Sequence, residues 1–414
     1  MNLISQFLPL LYRKILYVLV HLPNFPNLSD EWSELIKKGI IMKTVIFIRT
    51  YSIYNDSRDV KEILSLYKSG YHVIVLGWDR DNKAISRCRD IFPKDIEFKF
   101  FPVKLDTIGF RNIDKLFLWF KWEYCTIKKI TKDKTGVIFH ACDLDAGLPV
   151  YYFLRNHNNA SHKLVYDIYD YYADTHSVPN VFKTYIEKME NSIVNRADIT
   201  IICNDERKNQ IANALPHKLL VIHNSPDLRG ITLPTNESLY DFVYCGGLSN
   251  DRLLKEIFQQ YSEHSELKVV VAGKGINSFL AQRLSTCFSN FIFKGPVTYN
   301  EVLDLESKGK VLFAVYNPDV PNNRLSAPNK FYESLALGKP IIVCRGTGID
   351  KLVEKYNLGL SIPYNANEFY KALNTLLKNP GLCREMGRNG RKLFKEKYNW
   401  ERMEKKLLEA YSEL

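Results

Sequence analysis

Short apolar runs alternate with amphipathic segments along most of the chain. The first apolar, β-branched run covers 44–48, and the segment at 60–69 repeats its apolar residues at helical spacing. Gly70 supplies a stop signal, and a second apolar run follows at 72–77. Strands that alternate with helices in this way predict a parallel sheet that is covered by helices on both faces.

The alternation continues in two series, and the residue composition changes between them at 224–240. That stretch contains two prolines, Gly230 and several polar residues, and we interpret it as an interdomain linker. The first series predicts further strands at 96–103, 137–139, 163–166, 199–203 and 219–222, and helices at 114–129, 147–156, 182–195 and 205–214. The second predicts strands at 242–244, 268–272, 291–293, 311–315 and 341–343, and helices at 252–261, 279–284, 300–307 and 348–355.

This organisation predicts two Rossmann-like, doubly wound α/β domains that face each other across a cleft. The ligand site is expected in that cleft, at the carboxyl ends of the strands. The predicted parts are an extension at 1–41, a first domain at 42–223, the linker at 224–240, a second domain at 241–385, and helices at 386–414 that pack back on the first domain.

One short helix carries its own start and stop signals. Pro328 fits the first turn, Gly338 can adopt the left-handed conformation that ends a helix, and Pro340 prevents continuation. The amino end of such a helix carries free N–H groups and suits an anion. Glu333 lies one turn further in, where its carboxylate could accept hydrogen bonds from two neighbouring hydroxyls, as on a ribose.

Composition narrows the class of protein only modestly. A length of 414 residues exceeds one usual hydrophobic core, which agrees with two domains. The net charge of +11 could steer anionic substrates or favour an anionic membrane face, and it could equally be a solvated surface. No nucleic-acid partner is predicted. Eight cysteines without a Cys-x-x-Cys pair indicate free thiols in a reducing compartment, hence a cytoplasmic protein, and not disulfides or a zinc site.

The first 41 residues allow two interpretations. The segment at 8–22 is apolar but is broken by Arg13 and Lys14, so neither a membrane span nor a cleaved signal peptide is expected. An interfacial amphipathic helix is one interpretation, and it implies peripheral contact with the inner face of the cell membrane. The other is that Met42 is the true start, because a clean strand begins directly after it.

Four passages resemble the family 4 glycosyltransferases, which are retaining enzymes of the GT-B fold that use nucleotide sugars. The resemblance covers roughly 42–414. The passages are Asn55-Asp56-Ser57-Arg58, His140-Ala141-Cys142-Asp143-Leu144-Asp145 with Asp167 beyond it, Tyr244-Cys245-Gly246-Gly247-Leu248 with Arg252, and the helix that holds Glu333. The resemblance implies an acceptor-binding first domain and a nucleotide-sugar-binding second domain.

On the donor side, the resemblance makes Glu333 the second acid of a Glu-x7-Glu motif and the ligand of the ribose hydroxyls. The first acid would fall at Leu325, so one contact to the donor sugar is missing. Arg252, or alternatively Lys255, corresponds to the residue that neutralises the pyrophosphate. Further donor-binding candidates are Gly246, Gly247, Gly273, Asn329 and Lys330. For Glu333 and Lys330, ordinary structural roles compete with these assignments.

On the acceptor side, the chain departs from the family pattern. The family's catalytic-pocket histidine would fall at Cys142, with His140 two residues earlier, and the family's Asp-x-His-Glu has Tyr169 in place of its histidine. Asp143 and Asp170 are predicted to bind acceptor hydroxyls. Arg58 is a further candidate for the acceptor or the donor phosphate, with a structural ion pair as its alternative. We predict catalytic contributions from Glu333, Arg252, His140 and Asp143, with no metal and no cofactor.

The prediction from sequence is therefore a retaining hexosyltransferase. It would move a hexose from a UDP- or GDP-sugar to a growing polysaccharide or a lipid-linked saccharide. Two alternatives remain: a nucleotide-sugar epimerase of the same fold, and a non-catalytic glycosyltransferase-like subunit. Leu325, Cys142 and Tyr169 keep the second alternative open.

Overall fold

The computed structural model describes residues 42–80, 82–104, 113–157, 160–175, 180–230 and 238–414. The predicted extension at 1–41 and the part of the predicted linker at 231–237 lie outside these residues. Thr44–Leu414 forms one structural unit, which contains two parallel sheets. No helix in the described ranges is long and apolar enough to cross a membrane.

The first sheet has seven parallel strands in the order β3-β2-β1-β4-β5-β6-β7. Its strands are β1 Thr44–Arg49, β2 His72–Trp78, β3 Glu97–Phe101, β4 Ile138–Cys142, β5 Lys163–Ile168, β6 Ile199–Ile202 and β7 Leu219–Val221. Its helices are α1 Ser57–Lys68, α2 Ala84–Ile91, α3 Ile113–Thr131, α4 Leu144–His157, α5 Tyr172–Thr175 and α6 Asn180–Arg196. The central strands are buried on both faces, as expected for a parallel sheet between helices.

The second sheet has six parallel strands in the order β10-β9-β8-β11-β12-β13. They are β8 Tyr240–Cys245, β9 Val269–Ala272, β10 Phe291–Phe293, β11 Gly309–Ala314, β12 Ile341–Cys344 and β13 Gly359–Ile362. The helices are α7 Leu254–Gln260, α8 Ser278–Cys287, α9 Tyr299–Ser307, α10 Asn329–Leu337, α11 Ile349–Tyr356, α12 Ala366–Lys378, α13 Pro380–Leu393 and α14 Trp400–Ser412.

The structure confirms the two predicted αβ series and differs in detail. The segment predicted as a helix at 205–214 is a 3₁₀ helix at Asp205–Ile211. The apolar side chains of 205–214 are Ile211, Ala212 and Ala214, all at its end, so residues 205–210 offer no apolar stripe for an α-helix. Strand β13 and helices α2 and α12 were not predicted. Strand β13 gives a weak signal because it is short and only partly buried.

The last helices connect the two halves. Leu393, the last residue of α13, and Phe394, which follows it, pack in the same apolar cluster as Phe331 of α10. The chain then turns through a π-helical segment at Phe394–Tyr398, and Trp400 of α14 packs with the buried face of the first sheet. The carboxyl-terminal segment therefore buries apolar surface against both sheets, which holds them in one unit.

Candidate active site

A cleft of about 380 Å³ lies where the carboxyl ends of the two sheets meet. Its polar lining comes from loops after the strands of both halves, as expected for ligand sites of doubly wound sheets. The first half contributes Arg49, Asp56, Arg58, Tyr169, Asp170 and Arg207, and the second contributes Gly246, Gly247, Arg252, Tyr299, Asn322, Asn323, Ser326, Asn329, Lys330 and Glu333.

The loop after β8 lies close to α10 because it contains glycine. Gly246 has φ +149°, and a Cβ there would lie 2.5 Å from Nζ of Lys330. Gly273 packs against the backbone of Gly246, whose carbonyl oxygen would collide with a Cβ at position 273. Gly273 thus supports the loop from behind, whereas Gly246 and Gly247 line the cleft. The glycines give Lys330 the room to lie over the Tyr244 ring, with Nζ 4.5 Å from its centroid.

Helix α10 opens into the cleft with its amino end. Pro328 precedes the first helical residue, Asn329, and Gly338 ends the helix with φ 65°. The stop signal operates as predicted, whereas Pro328 takes the N-cap position and not the predicted place in the first turn. Pro328, Asn329 and Lys330 all line the cleft, so the positive end of the helix dipole faces the site.

Glu333 lies one turn inside α10 and is 3% exposed. Its carboxylate lies beside the carboxyl group of Glu306, which is near the end of α9 and is 1% exposed. Burial and the neighbouring Glu333 raise the pKa of Glu306 well above its ordinary value, although Lys330 acts in the opposite direction. Glu306 is therefore the protonated partner and donates to Glu333, which stays the acceptor.

Arg252 and Arg207 each have a buried donor nitrogen without a hydrogen-bond partner among the described residues. Arg252 lies flat over Tyr316, with its guanidinium carbon 3.5 Å from the ring centroid, and its Nη1 is buried without a hydrogen-bond partner among the described residues. Arg207 donates from Nη2 to Asp170 at 3.0 Å, while its buried Nε has no such partner. Both guanidinium groups are therefore available to an anionic ligand in the cleft.

Lys330 adds a third cation that remains charged. Burial alone would lower the pKa of Lys330, but Tyr244, Tyr316 and Glu333 together raise it above the ordinary lysine value. The oxygen atoms Oδ1 of Asn322 and Oγ of Ser326 are also buried without a hydrogen-bond partner among the described residues. Buried polar groups normally have partners, so this cleft has the character of a site for a polar, anionic ligand.

Arg58 is held by the first half. Its Nη2 donates to both oxygens of Asp167, at 2.6 and 2.9 Å, and its Nε donates to Glu62 at 3.0 Å. The Tyr169 ring lies between two guanidinium groups, 4.0 Å from that of Arg49 and 4.5 Å from that of Arg58. Arg58 therefore borders the cleft, but most of its hydrogen-bonding capacity is used within the protein.

His140 lies behind the cleft and is fully buried. Its Nε2 is 3.3 Å from Glu62 and 3.4 Å from Asp167, so Nε2 is the protonated nitrogen of the neutral ring. Its Nδ1 then accepts from the hydroxyl of Tyr411 on α14, at 2.5 Å. The structure thus connects His140 to the cleft through Glu62, Asp167 and Arg58.

The cluster of Glu62, His140 and Asp167 has ligand atoms close enough together to hold a metal ion. The guanidinium of Arg58 already bonds to both carboxylates at 3.0 Å or less. A cation in this cluster would compete with a buried arginine, so the donor set fits a structural ion pair better than a metal.

Asp143 and Asp170 have different surroundings. Asp143 pairs with Arg49, and its Oδ1 accepts from the backbone N–H groups of Tyr169 and Asp170 at 2.8 and 3.1 Å. Burial raises its pKa to about 6, with Arg49 acting in the opposite direction. Asp170 instead joins the two halves, because Arg207 and Asn322 both donate to its Oδ1 at 3.0 Å.

A second pocket of about 240 Å³ adjoins the cleft through Arg49 and Asp170. Its other lining residues are Tyr51, Asp143, Asp145, Tyr172 and Thr175. Carboxylates and tyrosines beside an anion-binding cleft offer acceptors and apolar faces to a hydroxyl-rich molecule.

The remaining predicted residues lie elsewhere. Lys255 is exposed on α7 and does not line the cleft. Cys142 is fully buried at the end of β4. Leu325 ends a 3₁₀ helix at Pro321–Leu325 without lining the cleft, and its carbonyl oxygen accepts from Asn204 at 3.0 Å. Asn322 and Asn323 of the same turn supply polar groups to the cleft instead.

Sequence reasoning missed Arg49, Arg207, Glu306 and Asn322. Arg49 is the last residue of β1 and Arg207 follows β6 by a few residues, so a search for charges at strand ends would have found both. No local signal marks Glu306, because its partner Glu333 is on a different helix.

Comparisons with known proteins agree with this geometry. Residues 240–379 match the family model described as Glycosyl transferases group 1. An uncharacterized glycosyltransferase of Methanocaldococcus jannaschii is 25% identical over 211 residues, which make up 50% of this chain and 57% of that relative. The alignment thus spans little more than half the length of the relative.

Solved structures are similar over almost the whole chain. Sucrose-phosphate synthase from Thermosynechococcus elongatus has a TM-score of 0.67 at 14% identity, covering 90% of this chain and 98% of that one. Anabaena HepE in complex with UDP-glucose has a TM-score of 0.65 at 14% identity, covering 90% and 100%. The protein therefore has the GT-B fold of glycosyltransferases. The match of its second half to the family model supports glycosyltransferase activity.

Proposed function

We propose that this protein is a retaining glycosyltransferase that moves a hexose from a nucleotide diphosphate sugar to a saccharide or a lipid-linked saccharide. The observation that carries the proposal is the placement of Glu333 beside Arg252 and Lys330 in one cleft. A carboxylate acceptor for ribose hydroxyls and fixed cations for a diphosphate are what such a donor requires.

Arg252, Arg207 and the amino end of α10 would bind the diphosphate, and Glu333 would accept from the ribose. The glycosidic bond from the sugar C1 to the diphosphate oxygen breaks, and a bond from C1 to an acceptor oxygen forms. The diphosphate leaves with the electron pair of the broken bond and takes up the proton of the acceptor hydroxyl. The cations stabilise the charge that develops on the leaving group.

The adjoining pocket is proposed to hold the acceptor. Asp170 borders both cavities, so it could accept from an acceptor hydroxyl next to the donor sugar. Asp143 would act through the backbone of residue 170, because its oxygens are used by Arg49 and two backbone N–H groups. We make UDP-sugars the first choice of donor, supported by the similarity to HepE in complex with UDP-glucose, and GDP-sugars the alternative.

A panel of UDP- and GDP-sugars tests this proposal, with release of the free nucleotide diphosphate as the measurement. We expect release with one nucleotide class and none with Glu333→Ala. Failure of every nucleotide to bind or react would contradict the proposal and favour the non-catalytic alternative. Proton NMR of the product anomer then tests retention, because a retaining enzyme converts an α-linked donor into an α-linked product.

We also propose that the reaction takes place in the cytoplasm. All eight cysteines are free, which fits a reducing compartment. A lipid-linked acceptor would place the enzyme at the inner face of the cell membrane.

A further inference from the structure

A groove larger than the cleft and its adjoining pocket lies at the β3 edge of the first sheet, and β7 forms the other edge. It has a volume of about 880 Å³ and shares no lining residue with the cleft. It lies between the edge strand β3 and helix α3, which are joined by ring contacts such as Phe101 to Trp122 at 5.6 Å. The position is independent of the proposed nucleotide site.

The floor of the groove is apolar. Phe100, Val103, Leu118 and Trp122 contribute to it, and Leu118 is 51% exposed. Phe117, next to Leu118, is 65% exposed. A contiguous patch of exposed apolar side chains is typical of a site that binds a protein or a membrane.

The rim of the groove is basic. Lys99, Lys121, Lys129 and Lys134 line it, and Glu97 is the single acid among its lining residues. The Oε1 atom of Glu97 also lies 3.1 Å from Nε2 of His72. The groove therefore combines an apolar floor with a net positive rim, the pattern of a surface that binds anionic amphiphiles.

We propose that this groove, with the exposed face of α3, docks on an anionic lipid bilayer. Lysine side chains on the rim contact the lipid phosphates, while the exposed Leu118 and Phe117 of α3 enter the acyl region between them. Each lysine near an anionic leaflet adds to the attraction. The opposite charge of the leaflet selects a membrane as the occupant, and the proposal does not depend on the transferase activity.

Vesicle sedimentation of the full chain tests the proposal. Vesicles of phosphatidylcholine alone are compared with vesicles that also contain phosphatidylglycerol. The wild-type protein is expected to sediment with the anionic vesicles only. The double variant Lys121→Glu, Lys129→Glu should partition about tenfold more weakly or worse, because it reverses two exposed rim charges.

The matched control is Lys351→Glu, Lys378→Glu, which makes the same change of net charge on exposed positions of α11 and α12. It should partition within about twofold of wild type. Equal losses in the two double variants would overturn the proposal, since net charge alone would then explain binding. Unchanged binding of the rim variant would also overturn it and assign binding to another part of the chain.

Quenching by brominated lipids supplies a second measurement that does not rely on charge variants. Trp122 lines the groove, so its fluorescence should be quenched on anionic vesicles, and Trp122→Phe should lose that part of the quenching. Equal quenching in wild type and Trp122→Phe would overturn the proposal. Capture of an acidic peptide or a nucleic acid in place of vesicles would also overturn it.

Discussion

Glu306 and Glu333 come from different helices and place two buried carboxyl groups side by side at the wall of the cleft, where burial raises the pKa of both. The carboxyl group of Glu306 and the hydroxyl of Tyr299 both contact the carboxylate of Glu333, and Tyr299 itself lines the cleft. Lys330 lies beside the pair on α10, and Lys61 approaches Glu333 from α1. The ribose ligand of the proposed site is therefore positioned in part by Glu306, which does not line the cleft.

Glu306→Gln should preserve binding of UDP-glucose at neutral pH, because the amide still donates to Glu333. In the wild-type protein, affinity should fall as rising pH removes the proton from Glu306 and the two carboxylates repel. The glutamine variant should not show this part of the pH dependence, and Glu306→Ala should bind more weakly at every pH. Calorimetric titration across neutral and alkaline pH measures all three, and identical profiles for wild type and Glu306→Gln would refute the role of the proton.

Arg252→Met should lower the affinity for UDP by about tenfold to a hundredfold, the usual value of charge-assisted hydrogen bonds. Affinity for uridine, which lacks the diphosphate, should change little. Lys255→Met is the matched control, because Lys255 is exposed and outside the cleft. An equal loss of UDP affinity in both variants would show that Arg252 contributes only general charge.

Tyr411→Phe should reduce the free energy of unfolding by about 1–3 kcal/mol, because it leaves Nδ1 of His140 buried without its donor. Tyr67→Phe removes a hydroxyl from an exposed contact with Asp95 and should cost less than about 0.5 kcal/mol. Urea denaturation measures both values. Equal costs would mean that the link from α14 to the first sheet does not depend on this hydrogen bond.

His223 should make the protein less stable in acid. Burial lowers the pKa of His223 to about 4, and its Nδ1 lies 3.1 Å from the carbonyl oxygen of Cys203. Between pH 6.5 and 4 the unfolded chain takes up a proton at this histidine and the folded protein does not, so the unfolding free energy falls as pH falls, by about 3 kcal/mol in all.

His223→Asn removes that titration. The difference in unfolding free energy between wild type and variant should therefore shrink on going from pH 7 to pH 4, because only the wild type loses stability through this group. Denaturation curves at several pH values provide the comparison. A difference that stays constant with pH would contradict the buried neutral state of His223.

The fold followed from the sequence because its signals are local. The period of apolar residues, Gly70 and the pair Pro328 and Gly338 each act within one element, and the structure places the two glycines as expected and Pro328 directly before its helix. The contacts between elements were beyond such reasoning. Nothing in the local sequence tells that Arg58 is held by Asp167, or that His140 bonds to a tyrosine 271 residues away.

The same limit applied to the cleft. Glu333, Arg252 and Lys330 could be predicted because a resemblance to known motifs supplied their roles. Arg207 and Asn322 meet at Asp170 only after the two halves fold against each other. Arg207 lies near a strand end in the same half as Asp170, whereas the contribution of Asn322 depends on the docking of the two halves, and no spacing along the chain encodes it.

The central claim is that Glu333 binds the ribose of a nucleotide sugar. Calorimetric titration of UDP and of its 2′,3′-dideoxy analogue, with wild type and Glu333→Ala, tests it most directly. Loss of the two hydroxyls should weaken binding about tenfold or more in wild type and hardly at all in Glu333→Ala, because the variant already lacks the carboxylate that accepts from them. An equal loss in both proteins, or no binding of UDP to wild type, would contradict it.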